Sequence, residues 1–196
     1  YDQLEEYFVS NEIQDLRKDL LNGVKNKACH QCWTDEEAGG DSLRLMSNRT
    51  VGLFSETPLK TQIENPKVSN INTFDLVLGN LCNLKCTMCK PRLSSQLLAE
   101  VNLNPELQPL YPGETFDQTK YNWAKETDFV DWINKNLPDA IHIKFAGGEP
   151  FIIPWIQTVI DNIPDTQKKK CVLHFTTNLT VVNLGLFENF KKFKEV

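Results

Sequence analysis

The amino-acid sequence predicts an α/β protein built on a parallel sheet, because short apolar runs alternate with helical patterns in its second half. The three apolar runs cover residues 74–78, 141–145 and 172–175. The second and third runs are followed by apolar residues at helical spacing, over 154–163 and 184–190. Strands that alternate with helices of this length form parallel sheets with right-handed crossovers. Ligands of such sheets bind at the carboxyl ends of the strands.

The composition is that of a globular chain and excludes several classes of protein. The chain has 196 residues, of which 40% are hydrophobic and 24% charged, enough to bury a core in one domain with an appendage. No apolar stretch approaches the roughly 20 residues of a membrane helix, and the first residues do not resemble a signal peptide. We therefore expect a cytoplasmic protein without a membrane partner. The net charge of -5 gives no general affinity for nucleic acid.

The first 70 residues predict one helix and a long irregular segment. Four apolar residues within 1–25 fall on one helical stripe: Ile13, Leu16, Leu20 and Leu21. Asn22-Gly23 is typical of a helix end. We expect a polar stretch and then a loop from Gly40 to Asn70. The chain is thus expected to comprise an appendage over residues 1–70 and a core over residues 71–196.

The second part of the chain begins with a run read as a buried strand, which ends at Gly79. Ser94 or Ser95 is the predicted N-cap of the next helix, which Asn104-Pro105 ends. Residues 104–113 are expected to be a surface excursion. A further helix is predicted from Trp123 to Leu137. The three lysines that precede the last apolar run are expected to form a solvated loop.

Three cysteines follow the first predicted strand with the spacing Cys-x3-Cys-x2-Cys: Cys82, Cys86 and Cys89. Three thiolates can bind three irons of a cubane cluster and leave the fourth open, whereas electron-carrier clusters normally have four cysteine ligands. Tight cysteine clusters in a chain with an ample core favour metal binding over disulfides. A zinc site completed by His142 or His174 is an alternative, although both histidines are more simply read as core residues of the strands.

A second pair of cysteines, Cys29 and Cys32, has the spacing Cys-x2-Cys. The pair is compatible with a redox dithiol, half of a zinc ribbon or half of a second iron–sulfur site. The redox interpretation is weak because no strand precedes the pair. Two thiolates cannot complete a cubane, so further ligands would have to lie elsewhere.

The order of the motifs resembles the radical S-adenosylmethionine (SAM) superfamily over about residues 70–196. The resemblance rests on three motifs, one after each predicted strand: the cysteine triplet, Gly147-Gly148-Glu149-Pro150 and Thr176-Thr177-Asn178. It implies a partial parallel (β/α) barrel and a [4Fe-4S] cluster on the three cysteines, with SAM bound to the open iron. It also implies reductive cleavage of SAM to a 5′-deoxyadenosyl radical that abstracts hydrogen, with an electron donor such as a flavodoxin or ferredoxin.

The same resemblance implies which residues would bind SAM. Met88 stands where the family often has an aromatic residue near the adenine, and a thioether can also pack there. Gly147 and Gly148 would let the backbone approach the methionine end of SAM. Glu149 would accept from its ammonium group or steady its neighbours, Pro150 would stiffen the turn, and Asn178 would lie near the ribose.

The first part of the chain resembles the SPASM/twitch appendage of some radical SAM proteins. The resemblance rests on these residues: Cys29, Cys32, Trp33, Glu36, Gly39, Ser42 and Arg44. It implies an auxiliary iron–sulfur cluster and, by analogy, a peptide or other polymer as substrate. The family's barrel has six strands, and residues 194–196 resemble the approach to a fourth, so we expect a piece of a longer protein. The alternative function is a non-catalytic metal-binding module that holds zinc or a structural iron–sulfur centre.

Overall fold

The chain divides into two compact units, Tyr1–Ile71 and Asn72–Val196. A computed structural model describes the following residues: 6–7, 9–54, 72–121, 123–125 and 129–196. Among them, no helix has both the length and the apolar character needed to cross a membrane.

The described residues of the first unit are mainly helical. The unit contains α1 (Asn11–Leu21), a 3-10 helix (Lys27–Cys29), α2 (His30–Glu37) and α3 (Leu43–Phe54). The prediction of α1 and of its end at Asn22 is confirmed. The loop predicted after Gly40 is wrong for the residues of α3, and its remainder lies outside the described residues. The hydroxyl oxygen of Ser42 caps α3 by accepting from Leu45 N at 3.1 Å, a local signal that the apolar pattern did not reveal.

The second unit contains a parallel sheet, as the sequence predicts. The strands are β1 (Thr73–Val77), β2 (His142–Ala146) and β3 (Val172–Phe175), in the order β1-β2-β3. Glu195 forms a parallel bridge with Val172 on β3, where the approach to a fourth strand was expected. The described strands form an open sheet and do not close into a barrel.

Five α-helices are described in this unit: α4 (Ser95–Leu103), α5 (Phe129–Asn136), α6 (Pro154–Asn162), α7 (Asp165–Lys168) and α8 (Leu184–Phe190). Ser94 caps α4, as one of the two predicted alternatives. The helix predicted from Trp123 is wrong in its first part, where Trp123–Lys125 is a 3-10 helix. Lys168 is buried beside Asp165 rather than solvated, since its Nζ lies 3.2 Å from Asp165 Oδ1.

One face of the sheet is apolar and packs against helices. In-register rows place these residues on it: Phe74, Ile143 and Leu173, then Leu76, Phe145 and Phe175. Trp132 of α5 meets Phe74 edge-on at 6.3 Å between ring centroids. Phe190 of α8 lies 5.0 Å from Phe175. The strand predicted as buried, β1, is therefore buried on this face only, and alternate residues of it are exposed.

The opposite face carries charged and titratable residues. Asp75, Lys144 and His174 are in-register neighbours across the three strands, and Lys144 Nζ lies 3.0 Å from Asp75 Oδ2. The His142 and His174 rings are 6.3 Å apart on this face. The prediction of core histidines is wrong for His174, which is exposed. Parallel strands are usually apolar on both faces, so this row, in the middle of the strands, departs from that pattern.

Candidate functional site

The cysteine loop, residues 78–94, connects β1 to α4 at the carboxyl edge of the sheet. Cys82 is buried, Cys89 is half-buried and Cys86 is exposed. The backbone N–H of Leu84 donates to Cys82 Sγ at 3.4 Å, and Cys89 N donates to Cys86 O at 2.9 Å. The loop thus combines one inner thiol, which already accepts a backbone hydrogen bond, with two outer thiols.

Two serines at the start of α4 fix the backbone of this loop. Ser95 Oγ accepts from Cys82 N at 3.1 Å and donates to Cys82 O at 3.3 Å. Ser94 Oγ donates to Leu84 O at 2.7 Å while it caps the helix. Sequence reasoning found the capping role and missed the loop contacts. The signal was the adjacent pair of serines, because only one of them is needed as a cap.

The thiols of the cysteine loop are close enough to influence one another. Burial raises the pKa of the Cys89 thiol, and the negative charges of Cys82 and Cys86 add to the rise. Among the residues that the structure describes, no three side chains of the metal-binding types are grouped as a single ion would need. In a cubane each thiolate binds a different iron. A cluster with three protein ligands would therefore not require the three sulfurs to meet at one ion.

His142 lies too far from the cysteine loop to complete a zinc site with it. This residue begins β2, whereas the cysteine loop follows the last residue of β1, Val77, which pairs with Ala146. Four residues of strand place His142 roughly 13 Å from that edge. His174 is nearer, but it lies in the interior of β3 beside Lys144.

The Gly-Gly turn approaches the backbone of the cysteine loop. Gly148 N donates to Leu93 O at 3.1 Å and Glu149 N donates to Leu81 O at 2.7 Å. Gly147 and Gly148 have φ of +78° and +55°, and a Cβ on Gly148 would collide with the Leu81 carbonyl oxygen. The role of these glycines in admitting SAM stays a prediction. An added Cβ on Gly147 would collide with Val77 of β1, and one on Gly148 with the cysteine loop, so both glycines also have a structural reason.

Glu149 joins the second and third strand ends. Its carboxylate is fully buried. Oε1 accepts from Phe151 N at 3.1 Å and from Thr177 Oγ1 at 2.6 Å. Oε2 accepts from Asn178 N at 2.7 Å. These bonds hold the neighbouring residues in place, which is one of the two roles expected of Glu149. The other role, acceptance from the ammonium group of SAM, stays a prediction.

Asn178 joins the third strand end to the cysteine loop. Its Nδ2 donates to Asn83 Oδ1 at 3.1 Å, and Asn83 Nδ2 donates to Thr180 Oγ1 at 2.7 Å. Asn178 Oδ1 accepts from the backbone and hydroxyl of Thr180, at 2.9 and 2.7 Å. All three strand-end motifs are therefore connected by hydrogen bonds. Pro150 is buried in the turn, whereas Met88 is 91% exposed and projects from the loop.

Sequence reasoning missed the residues that connect the cysteine loop to the following part of the chain. Asn80 is buried, donates to Pro91 O at 3.2 Å and accepts from Gln118 Nε2 at 2.8 Å. The Trp123 indole N–H donates to Val77 O at 2.8 Å. No sequence pattern predicts these contacts, because the partners are 11 to 46 positions apart.

The second pair of cysteines lies in the first unit, at the beginning of α2. Cys29 is the N-cap residue of this helix and Cys32 lies in its first turn. Both are partly exposed thiols. The unit Tyr1–Ile71 contains only these two cysteines. They share a helix terminus, but a cubane would need ligands from outside this unit.

The residues that resemble the SPASM/twitch pattern form one contact cluster. The Glu36 carboxylate accepts from Ser42 Oγ at 2.5 Å and from Arg44 Nε and Nη2 at 3.0 and 2.5 Å. The Arg44 guanidinium lies 4.6 Å from the centroid of the Trp33 ring. Gly39 ends α2 with φ of +78°. The pattern therefore encodes the turn between α2 and α3.

This cluster also places a cation near the cysteine pair. The Glu36 hydrogen bond is the main cause that raises the pKa of Arg44, and the charges of Cys32 and Cys29 contribute to the rise. The Arg44 guanidinium therefore interacts electrostatically with both cysteines as well as with Glu36.

Comparisons of this chain with protein-family models, with curated proteins and with solved structures found no match. The functional interpretation therefore depends on the residues of the site and on their geometry.

Gly148→Ala is expected to destabilise the protein and to disturb the cysteine loop, because the new Cβ collides with Leu81 O. Gly113→Ala is the matched control, since Gly113 has φ of +79° but open space around the added Cβ. The control should cost about 1–2 kcal/mol for its left-handed backbone alone. Urea unfolding measures both variants. Equal losses of stability would contradict the close approach of turn and loop.

Glu36→Gln is expected to loosen the turn between α2 and α3, because it removes the negative charge and one of the two acceptor oxygens that hold Arg44 over Trp33. Trp33 fluorescence should change and Cys32 should react faster with a thiol reagent. Glu37→Gln is the control, since Glu37 has only an exposed ion pair with Lys25, and such pairs contribute little. If the two variants behave alike, the cluster does not organise this turn.

Proposed function

We propose that this chain belongs to an iron–sulfur, SAM-dependent radical enzyme. The observation that carries the proposal is the meeting of three motifs at one edge of the sheet. The cysteine loop, the Gly-Gly-Glu-Pro turn and the Thr-Thr-Asn turn follow consecutive parallel strands and are linked by Glu149 and Asn178. This edge is where parallel sheets bind their ligands.

The sheet is compatible with part of a (β/α) barrel. The strands are adjacent in sequence order, and Glu195 continues this order beyond β3. The helices contact the apolar face through Phe74 and Phe175. The opposite face carries Asp75 and Lys144. A barrel of this type has helices outside and such a polar face inside.

Cys82, Cys86 and Cys89 would hold a [4Fe-4S] cluster. When bound, the cluster would supply the electron that cleaves SAM into methionine and a 5′-deoxyadenosyl radical for hydrogen abstraction. The Leu84 N–H would remain a hydrogen-bond donor to the Cys82 sulfur in such a cluster. Burial raises the pKa of Cys171 to about 12, so this thiol stays protonated and is unsuited to metal binding.

The chain's own residues would bind SAM around the Gly-Gly turn. The bonds of Glu149 to Phe151, Thr177 and Asn178 hold that turn in place. The exposed Met88 thioether would gain apolar contact from an adenine ring. A peptide or other polymer is the proposed substrate class, and a flavodoxin or ferredoxin the proposed electron donor.

An auxiliary cluster at Cys29 and Cys32 is part of this proposal. The pair supplies two thiolates beside the Arg44 cation. The remaining ligands would come from another part of the protein or from a second molecule.

Anaerobic reconstitution with iron and sulfide tests the proposal. The chain should bind about four irons through the cysteine loop, and the change of Cys82, Cys86 and Cys89 to Ala together should remove them. Cys171→Ala is the matched control, because it removes a cysteine that is buried and protonated. Iron counts that stay the same in the triple variant would contradict the assignment of the ligands.

Addition of SAM separates the proposed enzyme from a non-catalytic metal-binding module. SAM at an open iron should change the electron-spin resonance spectrum of the reduced cluster. A spectrum that does not change when SAM is added would support the metal-binding module instead. Bound zinc in place of iron would support it as well.

A further inference from the structure

A buried carboxylate lies in the segment that follows α4. This 104–121 segment contains two 3-10 helices, Pro105–Leu110 and Gln118–Tyr121. Between them, the side chain of Glu114 is only 4% exposed. Burial of an ionised carboxylate is costly unless it is paired and hydrogen-bonded.

Arg92 of the cysteine loop pairs with this carboxylate through both its side chain and its backbone. Arg92 Nη1 lies 2.8 Å from Glu114 Oε1, and Arg92 N donates to Glu114 Oε2 at 3.3 Å. The Arg92 side chain is about half exposed, at 51%. The carboxylate is thus the enclosed partner of the pair and the guanidinium is the solvated one.

The pair lies beside the third cysteine of the loop. Arg92 belongs to the 3-10 helix Pro91–Leu93, which begins directly after Cys89 and Lys90. Leu93 O accepts from Gly148 of the neighbouring turn at 3.1 Å. Both oxygens of the Glu114 carboxylate contact Arg92, three residues after Cys89. A change of charge in the pair would therefore be felt at the cysteine loop.

We propose that the Arg92–Glu114 ion pair sets the reduction potential of the iron–sulfur centre at the cysteine loop. The inference rests on the proposed function. The potentials of iron–sulfur clusters depend on nearby charge and on solvent exposure. The intact pair is neutral, so loss of either member leaves one charge uncompensated. A positive charge favours the gain of an electron by the cluster, and a negative charge opposes it.

The two single variants should therefore shift the midpoint potential in opposite directions. Glu114→Gln leaves the Arg92 cation unpaired, and the potential should become more positive. Arg92→Gln leaves the buried carboxylate without its cation, and in alkaline buffer, which keeps such a carboxylate ionised, the potential should become more negative. The double variant should return close to the unmodified protein. A tenfold change in the one-electron equilibrium corresponds to about 59 mV, and each single change is expected to give roughly threefold to tenfold.

A redox titration of the reconstituted protein, followed by electron-spin resonance, measures these shifts. Asp117→Asn is the matched control, because Asp117 is a carboxylate of the same segment that bonds locally to Thr119. The midpoint potential of the cluster in this variant should not change. Arg92→Lys keeps the positive charge but lacks the guanidinium group. The midpoint potential of this variant should stay near that of the unmodified protein, even if Arg92→Gln binds iron poorly.

Opposite shifts establish the electrostatic role. If the pair is only structural, both single variants should lose iron alike, and their midpoint potentials should shift in the same direction or not at all. That result overturns the inference while the proposed function stands. Failure of the unmodified protein to bind a cluster overturns both.

Discussion

The buried carboxylate of Glu149 is the interaction on which the site most depends. An ionised carboxylate out of water needs hydrogen-bond donors on both oxygens. The donors come from the Gly-Gly-Glu-Pro turn through Phe151 and from the third strand end through Thr177 and Asn178. Satisfying one side chain therefore fixes two loops relative to each other. The same residue contacts the cysteine loop, since its N–H donates to Leu81 O at 2.7 Å.

Two further carboxylates, elsewhere in the molecule, also join separate segments through hydrogen bonds. Glu36 brings Ser42 and Arg44 together across the turn between α2 and α3. Glu114 holds the 104–121 segment to the cysteine loop through Arg92. Each carboxylate accepts from more than one donor, which makes its geometry more specific than that of a surface ion pair. Both cysteine motifs thus have a carboxylate-centred contact near them, in separate units of the chain.

The two faces of the sheet differ in character: one is apolar and stabilises the fold, and the other carries charged residues. The apolar rows through Ile143 and Phe145 are almost fully buried and stabilise the fold. The other face carries the Asp75–Lys144 pair in the middle of β1 and β2. A charged residue in the middle strand of a parallel sheet adds little to packing. Departures of this kind from the usual pattern are expected near functional sites.

The sequence by itself determined the elements and the motifs. Local periodicity and capping predicted α1, α4, the three strands and the cysteine loop, because these signals lie within a few residues of one another. Even locally it missed α3, whose start depends on the cap at Ser42. It also misplaced His174, because alternation along β3 does not say which face meets the helices.

Only the tertiary structure decided which distant residues meet. Glu149 and Thr177 are 28 positions apart, and Arg92 and Glu114 are 22 apart. It likewise showed that Gly148 is needed where the turn approaches Leu81. Such contacts depend on how strands and loops pack, and a single sequence carries no periodic signal for them. The motifs could therefore be read from the chain, while the hydrogen bonds that hold them together could not.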